Sequence, residues 1–236
     1  MSTSRIGRIT AFLVLVGIYF AIAGTVRYNL SIVTAAISNP TTTVVIDAGH
    51  GGEDGGAVGS NGVKESQINL SISQKLDCLL SFCGYDTKLI RDHDCSVYTE
   101  GTTLAEKKVS DLKQRVKIVQ DTQSAVLISI HQNHFSEEQY SGAQVFYAKT
   151  EGSKELALLI QSSMCDTLDP ENKRHAKEAE SVYLMKQISC PGVLVECGFL
   201  SNYEEAVLLQ DDDYQIKIVC AITKALSQYR IGEIKT

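Results

Sequence analysis

Positive charge is scarce in this 236-residue sequence: 22 Lys and Arg stand against 28 Asp and Glu, for a formal net charge of -6. Setting aside Arg5, Arg8 and Arg27, which flank an N-terminal apolar run, takes the remainder from -6 to -9. So acidic a chain lacks the basic stripe that neutralises phosphate backbones, which excludes nucleic acid as its main partner. CxxC spacing is also missing, so the cysteines give no zinc knuckle. They are seven, an odd number, and several fall in apolar helix or strand patterns, so most read as free thiols in the core. There is no G-x-S-x-G, which removes the usual elbow of serine hydrolases. Neither G-x-G-x-x-G nor G-x-x-x-x-G-K-[ST] occurs, so the glycine-rich loop after Val44 is not one of the known phosphate cradles. No internal repeat and no second domain is visible.

What is present is enough apolar material, 44% of residues, for one sizeable core, with 21% charged residues keeping the chain outside the disordered range. Ile9 to Val26 is 18 residues without a charge. That length is near the lower limit for a spanning helix, and Ala21-Ile22-Ala23 suits a cleavage site, so a membrane anchor and a removed signal peptide both stay open. The expected organisation is a signal peptide or anchor over residues 1–27, a polar linker over 28–40, and a catalytic domain over 41–236, exported across the cytoplasmic membrane.

Runs rich in Val and Ile read as strands at Thr43 to Asp47, Thr87 to Arg91, Ala125 to His131, Gln144 to Tyr147 and Val193 to Glu196. Helical periodicity fills the gaps. Ile68, Ile72, Leu76, Leu79 and Cys83 share a face that stops at Gly84; Val109, Leu112, Val116 and Val119 share another, as do Leu156, Leu159 and Ile160. A last helix follows Asp211-Asp212-Asp213 and carries Val219, Ile222, Leu226 and Tyr229. Strands alternating with helices predict a single α/β domain, a mixed, largely parallel sheet covered on both faces.

Ligands of open α/β sheets gather beyond the carboxyl ends of strands. Three strands lead to chemically active residues there: the first to His50, VLISIH to His131, and VLVE to Glu196. Glu65 opens the helix after the glycine loop. Two imidazoles and one carboxylate are a common ligand set for catalytic zinc, and a second carboxylate beside the site would serve as base. Taken singly, each residue has a plainer use. A strand-end histidine is usually a hydrogen-bonded structural residue, and an acid at a helix start suits the dipole. Glu196 is harder to dismiss, because a carboxylate straight after VLV is costly to bury without a partner.

The stretches VVIDAGHGGEDGGAVGSNGVKES, NLSIS, LIR, the segment around Arg115, SIHQNHF, SGAQVFY and PGVLVECGFLSNYEE, in that order, resemble the zinc-dependent N-acetylmuramoyl-L-alanine amidases. These enzymes cut bacterial peptidoglycan between muramic acid and its stem peptide. The resemblance implies one Zn2+ held by His50, Glu65 and His131, with Glu196 as the catalytic residue and Asn133 as a substrate contact. It also implies a mixed sheet flanked by helices. Ala48 stands where the family commonly has proline, Ser66 where it has lysine and Cys197 where it has leucine. Cys197 should point away from Glu196, since neighbouring strand residues face opposite sides. His134 matches no ligand position.

The chain is similar in build to the spore-cortex amidases, which have a bare catalytic domain and membrane targeting. That likeness implies a role in cortex maturation or other wall remodelling and a place in the forespore intermembrane space. It also implies peptidoglycan strands as substrate, with an accessory exported protein or lipoprotein as partner. Two rival readings use the same residues: a catalytically silent peptidoglycan-binding domain, and a zinc endopeptidase acting within the stem peptide.

Overall fold

The computed structural model of the protein describes residues 42–59 and 61–234, with side chains through residue 229. The apolar run of residues 9–26 and the linker lie outside these residues. Among the described residues no helix is long and apolar enough to cross a membrane.

In chain order the elements are β1 (Thr43–Ala48), α1 (Glu65–Phe82), β2 (Asp86–Leu89), α2 (Leu104–Gln120), β3 (Ala125–Asn133), β4 (Gln144–Tyr147), α3 (Ser153–Leu168), β5 (Lys177–Glu178), α4 (Tyr183–Gln187), β6 (Gly192–Phe199), α5 (Tyr203–Leu208) and α6 (Asp212–Ile234). The six strands form one sheet in the order β2-β1-β3-β6-β4-β5. Strands β2, β1, β3 and β6 run parallel, and β4 pairs antiparallel to β6. This is the mixed, largely parallel sheet that the sequence pattern predicts.

Side-chain alternation sorts the core into two layers. Val44, Ile46, Ile128 and Val195 point to the face covered by α1, α3 and α6, where they meet Ile72, Leu156 and Ile222. Val45, Leu127 and Leu194 point to the other face, against Val116 and Val119 of α2 and Leu184 of α4. Fully burying each such aliphatic side chain contributes about 1.5–3 kcal/mol before entropy is counted.

Helix α1 ends as its sequence predicts. Gly84 takes φ 81°, and Tyr85 N–H donates to the carbonyl of Leu80. Helix α2 begins with a reciprocal cap, in which the Thr103 hydroxyl accepts from Glu106 N–H and the Glu106 carboxylate accepts from Thr103 N–H.

Three expectations about packing are corrected. Val109 is 53% exposed, because the buried face of α2 runs instead through Ser110, Arg115, Val116 and Val119. Cys83 is exposed at the end of α1, beyond the last turn that packs on the sheet. All seven cysteines are free, but only Cys197 is buried; Cys78, Cys83 and Cys220 are exposed on helix surfaces or ends.

Candidate active site

The carboxyl ends of β1, β3 and β6 lie side by side, and β1 is where the chain order reverses across the sheet, with β2 on one side and β3 on the other. Past Ala48 the backbone turns sharply: His50 has φ 61°, Gly51 φ 133° and Gly52 φ 60°. At Gly49 a Cβ would stand 2.3 Å from the His131 ring, so only hydrogen lets these two strand ends approach.

Two buried guanidinium groups hold this loop by its carbonyls. Arg91 donates through Nε to Ala48 O (2.8 Å) and through Nη2 to Gly49 O (3.1 Å) and Ser66 O (2.9 Å). Arg115 donates to Ala48 O (2.9 Å) and His50 O (2.7 Å), and its charge is matched by Asp47 and Asp111. Burial would raise the Asp47 carboxyl, but Arg115 and His131, with the Ser129 hydroxyl, hold it below its usual range.

Three of the residues singled out in the sequence then meet. His50 Nε2 lies 3.2 Å from one Glu65 oxygen and His131 Nδ1 lies 3.0 Å from the other. Among the described residues, His50, Glu65 and His131 form the one group whose donor atoms could share a cation, all within 4.8 Å of one another. Glu65 is buried, and its carboxylate also accepts from the backbone N–H of Ala57 (2.9 Å) and Gln132 (3.1 Å) and from the Asn69 amide (3.3 Å). Burial opposes its charge, yet the two imidazoles hold it well below the usual carboxylate range. His50 is lowered by burial but raised more by Asp54 and Glu65, to about 9. The cluster therefore attracts positive charge.

Glu196 lies beside this trio. It pairs in register with His131 across β3 and β6, which puts both side chains on one face. One edge of Glu196 reaches the groove, while Oε2 is enclosed with no hydrogen-bond partner. Burial pushes its carboxyl up to about 7, with His131 pulling down and Glu65 pushing up. A groove of ≈ 230 Å³ is lined by His50, His131, Arg115 and Glu196, and a second, of ≈ 750 Å³, continues past Glu196 along Asn133, Phe146 and Ala176. Asn133 thus borders the same open channel. His134 is exposed and outside the trio, and Cys197 is buried in the core layer opposite Glu196, diverging from it as strand alternation predicts.

Sequence reasoning passed over Asp54, Asn69, Arg91 and Asp47. One signal was available: an Arg closing the apolar run KLIR and another inside the apolar face of α2 are both costly to bury unless something polar waits for them.

Two nitrogens and a carboxylate oxygen at a sheet edge, next to a carboxylate without a partner, define a hydrolase with a metal-ready centre. Comparison with known proteins gives the family. Residues 44–228 match the family described as N-acetylmuramoyl-L-alanine amidase, and the chain belongs to it. It is 36% identical over 188 residues to the germination-specific N-acetylmuramoyl-L-alanine amidase of Bacillus subtilis, covering 79% of this chain and 78% of that protein. It is also similar to a solved CwlD amidase from Clostridioides difficile, in complex with the GerS lipoprotein, with TM-score 0.77 and 40% identity over 80% of this chain and 98% of that one. A second Clostridium difficile N-acetylmuramoyl-L-alanine amidase superposes with TM-score 0.70 at 27% identity, covering 82% of this chain and 98% of that chain. The chain is accordingly an enzyme acting on peptidoglycan, and the silent binding domain is set aside.

Proposed function

We propose that this protein hydrolyses the amide between N-acetylmuramic acid and L-alanine with one zinc ion, held by His50, Glu65 and His131. The observation that carries the reading is the convergence of those three donors within 4.8 Å, beside the unpartnered Glu196 carboxylate. The donor set fits zinc: two imidazoles and one carboxylate are borderline ligands that suit this ion, and the Asp54 and Glu65 carboxylates on either side of His50 support a cation there. When bound, zinc supplies Lewis acidity that polarises the scissile carbonyl and makes water more acidic.

The chain's own residues do the rest. Glu196 takes the proton of the attacking water and returns it to the leaving nitrogen, so that water is split between the two products. Its buried, raised carboxyl is suited to a group that must both accept and release a proton near neutral pH. Asp54, 3.0 Å from His50 Nδ1, orients that imidazole toward Glu65. The Asn69 amide, held in turn by Gln132 Nε2, and the Gln132 backbone N–H do the same for Glu65. Asn133 contacts substrate in the open groove, which suits a long glycan strand better than a closed pocket would.

Residues 1–27 act as signal peptide or anchor and 28–40 as linker to the catalytic domain of residues 41–236, so the enzyme works outside the cytoplasmic membrane. Relatives named for germination and for a complex with a lipoprotein support a role in spore-cortex maturation, in the forespore intermembrane space, with an exported lipoprotein as partner.

Glu196→Gln tests the chemistry: zinc content should stay near one per chain while release of stem peptides disappears, and retained turnover would remove Glu196 as the base. Mass spectrometry of the digest separates the endopeptidase alternative, since an amidase frees intact stem peptides with an L-alanine amine. Deleting the gene and measuring muramic lactam in purified spores tests the cortex role, which unchanged lactam would overturn.

A further inference from the structure

Arg174 is a cation without an anion. Its Nε donates to Ser141 O at 2.7 Å and its Nη1 to Gln144 Oε1 at 3.3 Å, and its guanidinium lies 4.5 Å over the Phe199 ring. Tyr140 is 6.0 Å away, tilted against Phe199. Among the described residues, no carboxylate comes within ion-pair distance of it. Glu205 feels its charge, but the Glu205 oxygens accept from the N–H groups of Gly142 and Phe199. Nη2 donates to no described group.

Its position is set by the same sheet that carries the site. Gln144 faces Glu196 directly across the antiparallel pair of β4 and β6, so both side chains stand on one face. Phe199 faces Asn133, and the register shift between His131 and Asn133 keeps it on the face of Glu196. Arg174 meets Gln144 directly and so stands one side chain from Glu196. The wall of the larger groove begins two residues on, at Ala176. The Asn172 side chain accepts from Arg174 N–H and donates to Ala143 O, and Gln144 donates to His175 O, so the segment is fixed before any ligand arrives.

We infer that Arg174 is a specificity-determining residue that accepts a carboxylate from the peptide side of the substrate. This rests on the amidase reading above. The sugar side brings no such group, because its lactyl carboxyl is consumed in the scissile amide, whereas a peptide carries a carboxylate wherever its C-terminus is neither amidated nor cross-linked. Phe199 covers one face of the guanidinium, and with Nε on Ser141 O and Nη1 on Gln144 Oε1 the donor left open is Nη2, which can give a charge-assisted in-plane bond to a carboxylate. In a chain with net charge -6, a pinned Arg two residues from the groove wall at Ala176 also offsets the repulsion that an anionic peptide would meet.

The test compares two N-acetylmuramoyl-peptides, one with free carboxylates and one with every carboxylate converted to an amide. Binding is measured by calorimetry on the zinc-loaded chain carrying Glu196→Gln, with and without Arg174→Gln. Turnover of both ligands is measured on the chain with Glu196 intact. The acid form should bind roughly 10- to 100-fold tighter, the range for one charge-assisted pair. Adding Arg174→Gln should make the two ligands bind alike, and Arg174→Lys should give an intermediate ratio by keeping charge without the planar fork. Equal binding of acid and amide forms to the Glu196→Gln chain would overturn the inference, as would an Arg174→Gln chain that still discriminates. Absence of turnover on both ligands with discrimination intact would instead count against the amidase reading alone.

Discussion

The His50 ring is gripped from behind by Asp54: Nδ1 lies 3.0 Å from Asp54 Oδ2, which leaves Nε2 turned to Glu65. Asp54 is itself tied to Lys108 at 3.2 Å and to Gly56 N–H at 3.3 Å, so its oxygen is fixed before His50 meets it. A carboxylate behind a ligating imidazole sets the tautomer and raises the basicity of the far nitrogen. Asp54→Ala should therefore weaken zinc binding about 10- to 100-fold, read by competition with a chelator. Asp54→Asn, which keeps an acceptor for the Nδ1 proton, should lose less.

Gly49 makes a different kind of contribution, by leaving space. Its backbone is not left-handed, so alanine there is unstrained in itself, yet the new Cβ would meet His131 Cε1 and Nε2 at 2.3 Å. The ring would have to swing away from Glu65. Gly49→Ala should keep the far-ultraviolet circular dichroism of the folded chain and lose zinc stoichiometry in the same preparation.

Arg115 and Asp47 form a buried ion pair at the root of the same loop. Removing one partner from such a pair leaves the other charged and enclosed, at a cost of about 3–5 kcal/mol. Arg115→Met should thus lower stability by about that amount in denaturant titration, because Asp47 keeps only the Ser129 hydroxyl and the His50 and Ala48 carbonyls lose a donor. The double variant Asp47→Asn, Arg115→Met should recover part of the loss.

The strands that carry the site were legible because VVID, VLISIH and VLVE are long apolar runs whose periodicity speaks for itself. The two-residue β5, Lys177–Glu178, was not, since an edge strand that short buries no pattern, and α4 and α5 are too brief for helical periodicity. Val109 was misplaced because α2 spends its buried face on Arg115, and an arginine reads as solvent-facing until its acceptors are known. For the same reason the sequence points to His50, His131 and Glu196 at strand ends but not to Asp54, Asn69 or Arg174. Their partners are set by loops brought together only in the fold.

Glu196 should cost the metal-free enzyme stability in a pH-dependent way. Its carboxyl is pushed by burial from 4.5 up to about 7 in the folded chain. Below the unfolded value both states hold the proton, and Glu196 brings no penalty. As pH rises from there toward 7, the unfolded chain releases its proton while the folded chain keeps it, so stability falls. Above 7 the folded carboxylate is charged and the full penalty is present, on the order of 3 kcal/mol. Glutamine has no such titration. In the presence of a chelator, the melting temperature of Glu196→Gln should match that of the unaltered chain near pH 4 and exceed it increasingly toward pH 8. A gap of constant size across that range would mean that the substitution acts through packing and not through ionisation. Adding zinc should narrow the gap at pH 8, because at the proposed site a dication held by His50, Glu65 and His131 would stabilise the very carboxylate that burial disfavours, coupling binding of the ion to readiness of the base.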